Sequence, residues 1–230
     1  MPVSLPAELG RTECRTVRFL DRLEHVKTHP AVVKIRTRNG YCSGVLVDSS
    51  LEPQTQHRAE LVLTCAHFFR DGLEEGDMYK VSGGFNRRLK AVRTIDGTDM
   101  ALCALDSPAP ARDVPGIAAQ TPSFRDPIST WGFGGKARRA QLRQGLFLMP
   151  FFRVWSVDFR TTVSPAGMVF NALPAVKGDS GGPAFLNDEV VGTQALILNP
   201  LGKNLHIATL ALVAPHRRAL IAAAADLKHR

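Results

Sequence analysis

Short apolar or alternating runs recur along most of this chain, separated by turn residues, with no sustained helical period among them. The runs fall at 31–36, 41–47, 61–63, 78–81 and 100–105, then at 130–133, 145–149, 168–170, 184–186, 190–198 and 205–212. Many short strands at nearly regular spacing predict an all-β sandwich or barrel. The two groups of runs are separated by a proline-rich stretch containing Pro108, Pro110, Pro115, Pro122 and Pro127. This divides the chain into a first β unit at 30–110, a linker at 111–127 and a second β unit at 128–212. Ahead of them lies an extension, residues 1–29. Within it Phe19, Leu23 and Val26 recur at helical spacing over 12–28, and the helix ends near Pro30 because a residue preceding proline avoids the helical region. The tail, 213–230, is alanine-rich from Pro215 to Leu227, with Leu220 and Ile221 available to pack, and is read as a terminal helix.

Composition excludes several classes. With 44% hydrophobic and 22% charged residues the chain reads as an ordinary globular protein. It holds no run of about 18 apolar residues that could span a membrane. The N-terminus lacks the basic-then-apolar order of a secretory leader, so the expected location is cytoplasmic. Cys14, Cys42, Cys65 and Cys103 are spaced too widely for a zinc cluster and are too sparse for a disulfide scaffold. Most or all of them are read as free thiols, and no metal or cofactor is expected. The net charge of +8 is concentrated at 87–90 and 136–139, with Arg143 close behind. These clusters are read as solvated loops. The alternative is a basic patch that binds acidic partners, and the absence of interleaved aromatics argues against nucleic acid.

Chemistry concentrates at 178–183, Gly-Asp-Ser-Gly-Gly-Pro. Glycines on both sides of Ser180 permit a sharp turn that exposes its hydroxyl. The same turn can aim the backbone N–H groups of Gly178 and Ser180 at one point, as an oxyanion hole requires. A serine nucleophile needs a base. His67 ends the apolar run Leu-Val-Leu-Thr-Cys-Ala-His. The base needs a carboxylate to fix its tautomer, and Asp99 immediately precedes the apolar run at 100–105.

Taken together, in the order His, Asp, Ser, these motifs make the chain resemble the trypsin/chymotrypsin family of serine proteases. Thr64-Cys-Ala-His67 resembles the family's Thr-Ala-Ala-His, and Thr98-Asp99-Met-Ala-Leu its Asn-Asp-Ile-Ala-Leu. Trp131-Gly132 resembles its Gly-Trp-Gly, and 41–47 its Cys-Gly-Gly strand. The resemblance implies two packed six-stranded antiparallel β-barrels. The first would carry His67 and Asp99 and the second Ser180, with polypeptide as substrate and peptide-bond hydrolysis through an acyl-enzyme. It also admits a protein partner that controls activity, and, as a competing reading, a catalytically silent scaffold of the same fold.

The departures from the family are informative. No Ile-Val-Gly-Gly-type sequence precedes Pro30, so Asp179 cannot take the partner it has in the secreted enzymes, a freed N-terminal amine. Asp179 must find another cation or N–H group, and activity should not require a new N-terminus. Phe68 stands where the disulfide beside the family's histidine has its second cysteine. Ala195 replaces a serine that supports the triad aspartate. By the same resemblance the substrate pocket is bounded by Pro174, Ala175, Ala195, Leu196 and Ile197. No carboxylate stands at its floor, which implies small or aliphatic residues before the scissile bond rather than Lys or Arg.

Overall fold

The strands curl into barrels because most of them bury one face. The computed structural model, which describes residues 29–70, 79–199 and 202–228, gives sixteen strands. In chain order they are β1 (Val32–Arg36), β2 (Tyr41–Val47), β3 (Gln54–His57), β4 (Leu61–Thr64), β5 (Lys80–Ser82), β6 (Asn86–Ile95), β7 (Met100–Leu105) and β8 (Arg112–Val114). The second half adds β9 (Pro127–Gly132), β10 (Gln141–Phe151), β11 (Val154–Trp155), β12 (Thr162–Val163), β13 (Ala166–Asn171), β14 (Pro183–Leu186), β15 (Glu189–Ile197) and β16 (Ile207–Leu212). Two closed six-stranded antiparallel barrels result, in the orders β1-β2-β4-β7-β6-β5 and β10-β13-β16-β15-β14-β9. Closure leaves neither barrel an open edge. The expected all-β, two-barrel architecture is therefore present, while the helix expected at 12–28 lies outside the described residues.

Val33, Ile35, Leu46, Val62 and Cys103 share one face and fill the first barrel, and Ile128, Phe147, Leu210 and Leu212 fill the second. β7 is buried at all six positions, which accounts for its unbroken apolar run. One face lines the barrel, and the helix α1 (Arg217–Lys228) crosses back to pack on β6 and β7. Leu220, Ala224 and Leu227, at i, i+4 and i+7, form the buried stripe of α1. Each leucine contributes about 2 kcal/mol by leaving water. Arg93 on β6 and Asp226 on α1 close the contact with an ion pair.

Two segments differ from their sequence reading. The basic residues at 87–90 lie on β6 and not on a loop, with Arg88 and Lys90 exposed on one face and Arg87 half-buried on the other. Within 111–127, β8 pairs with β3 and Ile117 bridges to Val190 of β15, so the proline-rich segment is laced to both barrels. Beside it, His29 stacks on Phe185 (4.7 Å) and meets the edge of Trp131, so the residue that opens the first barrel is held by the second. Burial lowers the His29 pKa to about 4 against the pull of Asp188, so it packs as a neutral ring.

Candidate active site

The three residues singled out from the sequence come from both barrels. β4 runs into a single 3-10 turn at His67–Phe69, and Asp99 ends the tight turn between β6 and β7. β4 and β7 are paired, with Thr64 opposite Ala101, so the two turns emerge side by side. Asp99, 2% exposed, accepts the His67 backbone N–H at 2.8 Å with Oδ1 and faces the ring Nδ1 at 2.7 Å with Oδ2. Both carboxylate oxygens are thus committed to one histidine, which fixes its backbone and its ring together.

Burial draws the His67 pKa down. Contact with Cys65 and the hydrogen bond and charge of Asp99 draw it up, and the balance lies above 6.5. The fully buried Cys65 reaches both His67 and Cys42, and burial pushes its own pKa well above 9. It therefore faces the imidazole as a neutral thiol at neutral pH, which leaves Asp99 as the standing source of the upward shift. Cys42, Cys65 and Cys103 are all buried and free.

Ser180 sits on the turn leading into β14. Gly178 has φ +104°, and a Cβ there would fall 2.3 Å from the Tyr41 ring. Gly181 has φ +78°, and a Cβ there would fall 2.2 Å from Thr64 Oγ1. Only glycine fits on either side, so the pattern that flagged this segment is a steric requirement. The turn is stitched to the first barrel. Ser43 N–H donates to Ser180 O (2.8 Å), Ser43 Oγ donates to Gly178 O (2.8 Å), and Phe133 N–H donates to Ser43 Oγ (2.9 Å). The N–H groups of Gly178 and Ser180 have no acceptor among the described residues. His67, Gly178 and Ser180 line one cleft of about 800 Å³ between the barrels. The Ser180 hydroxyl makes no hydrogen bond among the described residues, and such contacts commonly tighten only with substrate in place.

Asp179 finds the cation that the sequence left unnamed. Arg143 Nη2 lies 3.0 Å from its Oδ2, with both side chains almost wholly buried. The N–H groups of Gly134 and Val176 each donate to the carboxylate at 2.8 Å. Burial pushes the Asp179 carboxyl up, and the Val176 N–H, Arg143 and the Gly134 N–H oppose it. Arg143 is thus no part of a solvated cluster. Its parity on β10 is that of Phe147, a fully buried residue, and this inward register was the available signal.

The pocket residues are placed more loosely. Arg143 Nε donates to Pro174 O (3.0 Å) and Asn204 Nδ2 to Ala175 O (2.6 Å). Ala195 is buried and Leu196 and Ile197 half-buried at a bulge in β15, and none of the five lines the cleft that holds Ser180. Among the described residues no cluster of His, Cys, Asp and Glu could hold a metal, and no helix is long and apolar enough to cross a membrane.

Two closed antiparallel barrels with a His–Asp pair and a glycine-flanked serine across one cleft define a serine-protease type of site. Residues 42–192 match the trypsin-like peptidase domain, and the chain belongs to that family; it is a trypsin-like serine protease. Comparison with curated protein sequences gives no match. Among solved structures it is similar to the Rv3671c protease of M. tuberculosis. The inactive form of a serine-to-alanine mutant aligns at 18% identity and TM-score 0.66, over 98% of this chain and 97% of that one. The active form aligns at 17% and 0.65, over 96% and 88%. Kallikrein-related peptidase 10 in complex with Zn2+ aligns at 18% and 0.62, over 83% of this chain and 93% of its own. At such identities the likeness is one of fold.

Proposed function

We propose that this chain is a serine endopeptidase in which Ser180 is the nucleophile, His67 the general base and then acid, and Asp99 the group that orients the imidazole. The observation that carries the reading is the double attachment of His67 to Asp99 at 2.8 and 2.7 Å in a cleft shared with Ser180. With Nδ1–H held by the carboxylate, Nε2 is the basic nitrogen left to take the serine proton. Attack on a peptide carbonyl forms a tetrahedral oxyanion, and the two uncommitted N–H groups of Gly178 and Ser180 are the donors proposed to receive it. Protonation of the departing amine by His67 leaves an acyl-enzyme on Ser180. Water, activated by the same imidazole, then releases the acid.

Before the scissile bond, the specificity proposed is for small or aliphatic side chains. Pro174 and Ala175 offer no carboxylate, and the buried Arg143 guanidinium bonded to Pro174 O opposes a second cation there. Cleavage of a peptide library by the wild type and by Ser180→Ala tests both statements. The expected result is cleavage after Ala, Val or similar residues that is abolished in the variant. Wild-type cleavage dominated by Lys or Arg would overturn the pocket, and a folded wild type that cleaves nothing would leave a silent scaffold of the same fold.

A further inference from the structure

A second trough, of about 530 Å³, runs from the active-site cleft along β1. Its lining includes Lys34, Arg36, Arg112, Lys136, Arg138 and Arg139, and no Asp or Glu. Lys34, Arg36 and Lys136 also line the cleft that holds Ser180, where Arg38 and Lys177 add to them, so the two form one continuous cationic surface. Arg36, Arg38, Lys136, Arg138, Arg139 and Lys177 are exposed, and none has a carboxylate partner among the described residues. Lys34 is half-buried over the Tyr41 ring at 4.1 Å and donates to Ala137 O. Burial and the neighbouring Arg36 push its pKa down, the mark of a cation among cations without a counter-charge. The ion pairs among the described residues lie elsewhere, so the concentration of one sign here is local and not a general consequence of the chain's basicity.

The trough also has a direction relative to the nucleophile. Tyr41 packs on Gly178 at one end of the serine turn, whereas Gln194 of β15 accepts from Gly181 N–H at the other. Of the pocket residues that the family resemblance implies, Ala195, Leu196 and Ile197 lie on β15, so the acyl half of a substrate belongs on that flank. The cationic surface lies on the Tyr41 flank, which leaves it to the half that departs as the amine. We propose that this trough binds an acidic stretch of the polypeptide substrate downstream of the scissile bond, with Arg36, Arg138 and Arg139 as its specificity-determining residues. The proposal rests on Ser180 being the nucleophile. A polypeptide suits the site better than nucleic acid. The trough opens into the cleft, its one phenylalanine, Phe133, is buried at 5% exposure, and Lys34 covers the Tyr41 ring where trough and cleft meet, so the surface offers charge before it offers stacking platforms.

A surface of one sign beside a reactive centre raises the local concentration of opposite charge and accelerates encounter by about tenfold or more at low ionic strength. The test is the ratio of kcat/KM for two peptides with the same scissile bond, one carrying glutamates after it and the other glutamines. The expected ratio is at least about tenfold in favour of the acidic peptide at low salt. It falls toward unity in about 0.5 M NaCl, where the Debye length is only a few ångströms, and in Arg36→Gln/Arg138→Gln/Arg139→Gln. A wild-type ratio near unity, or glutamates that help only before the scissile bond, would overturn the proposal. If the wild type cleaves neither peptide, fluorescence anisotropy of the same peptides on Ser180→Ala still decides the matter. Preferential, salt-sensitive binding of the acidic peptide that is lost in the triple variant supports the trough. Equal binding of the two peptides, or tighter binding of a single-stranded oligonucleotide of equal charge, refutes it.

Discussion

Replacing Arg143 by methionine should disarm the serine turn while leaving both barrels standing. The exchange keeps a long straight side chain in a buried slot and removes one charge. Asp179, 1% exposed, would retain the Gly134 and Val176 N–H donors but lose its cation. Removing one partner of a buried pair costs about 3–5 kcal/mol, because the other charge is left uncompensated. With two donors still in place the low end, about 3 kcal/mol, is the expected figure, or roughly a hundredfold in an equilibrium at about 1.4 kcal/mol per tenfold. The strain falls on 176–182, which carries the Gly178 and Ser180 N–H groups, so it should appear first in reactivity. A fluorophosphonate probe should label Arg143→Met about a hundredfold more slowly than the wild type, with a smaller loss of stability in urea melts. Burial already pushes the Asp179 carboxyl up, and losing Arg143 pushes it further. The stability deficit should therefore be largest near neutrality and shrink as pH falls and the carboxyl takes up a proton. Arg143→Met/Asp179→Asn, which removes both charges, should recover much of the lost stability. A single variant that labels at the wild-type rate and melts like the wild type would refute the claim that this pair holds the turn.

The remaining predictions concern the His67–Asp99 pair. Only neutral His67 can accept the serine proton, and its pKa lies above 6.5, so the acid limb of kcat/KM should titrate above 6.5. The limb should move down in Asp99→Asn, which removes the charge on Oδ2 and lowers kcat by several orders of magnitude at neutral pH. An acid limb at or below 6.5 in the wild type would contradict the geometry. The imidazolium–Asp99 pair also stabilises the fold fully below the unfolded-state pKa near 6.5 and loses that contribution as pH rises through the folded-state value.

Legibility in the sequence followed the physics of each element. Strands at 41–47 and 100–105 coincide with their apolar runs because both faces of each are covered. β6 did not stand out, since Arg87, Arg88, Lys90 and Arg93 dominate it and break its apolar residues, Leu89, Ala91 and Val92, into runs of one or two. β3, β8, β11 and β12 are two to four residues long and exist only through their partners, so no local period could announce them. Gly178, Ser180 and Gly181 were legible because a reactive turn needs particular residue types at fixed spacing. Arg143 was hidden because a charge in a basic stretch looks solvated until its register on β10 is known. The trough was hidden for a related reason. It is assembled from β1, the residues after β9 and Arg112 of β8, which are far apart in sequence.

The central claim, that Ser180 is activated by His67, is tested most directly by mapping a fluorophosphonate adduct on the intact protein. The account predicts a single adduct on Ser180 of the uncleaved chain, absent in Ser180→Ala and formed far more slowly in His67→Ala. A folded wild type that takes no adduct would contradict it, as would labelling at another residue or labelling only of molecules cleaved within residues 1–30.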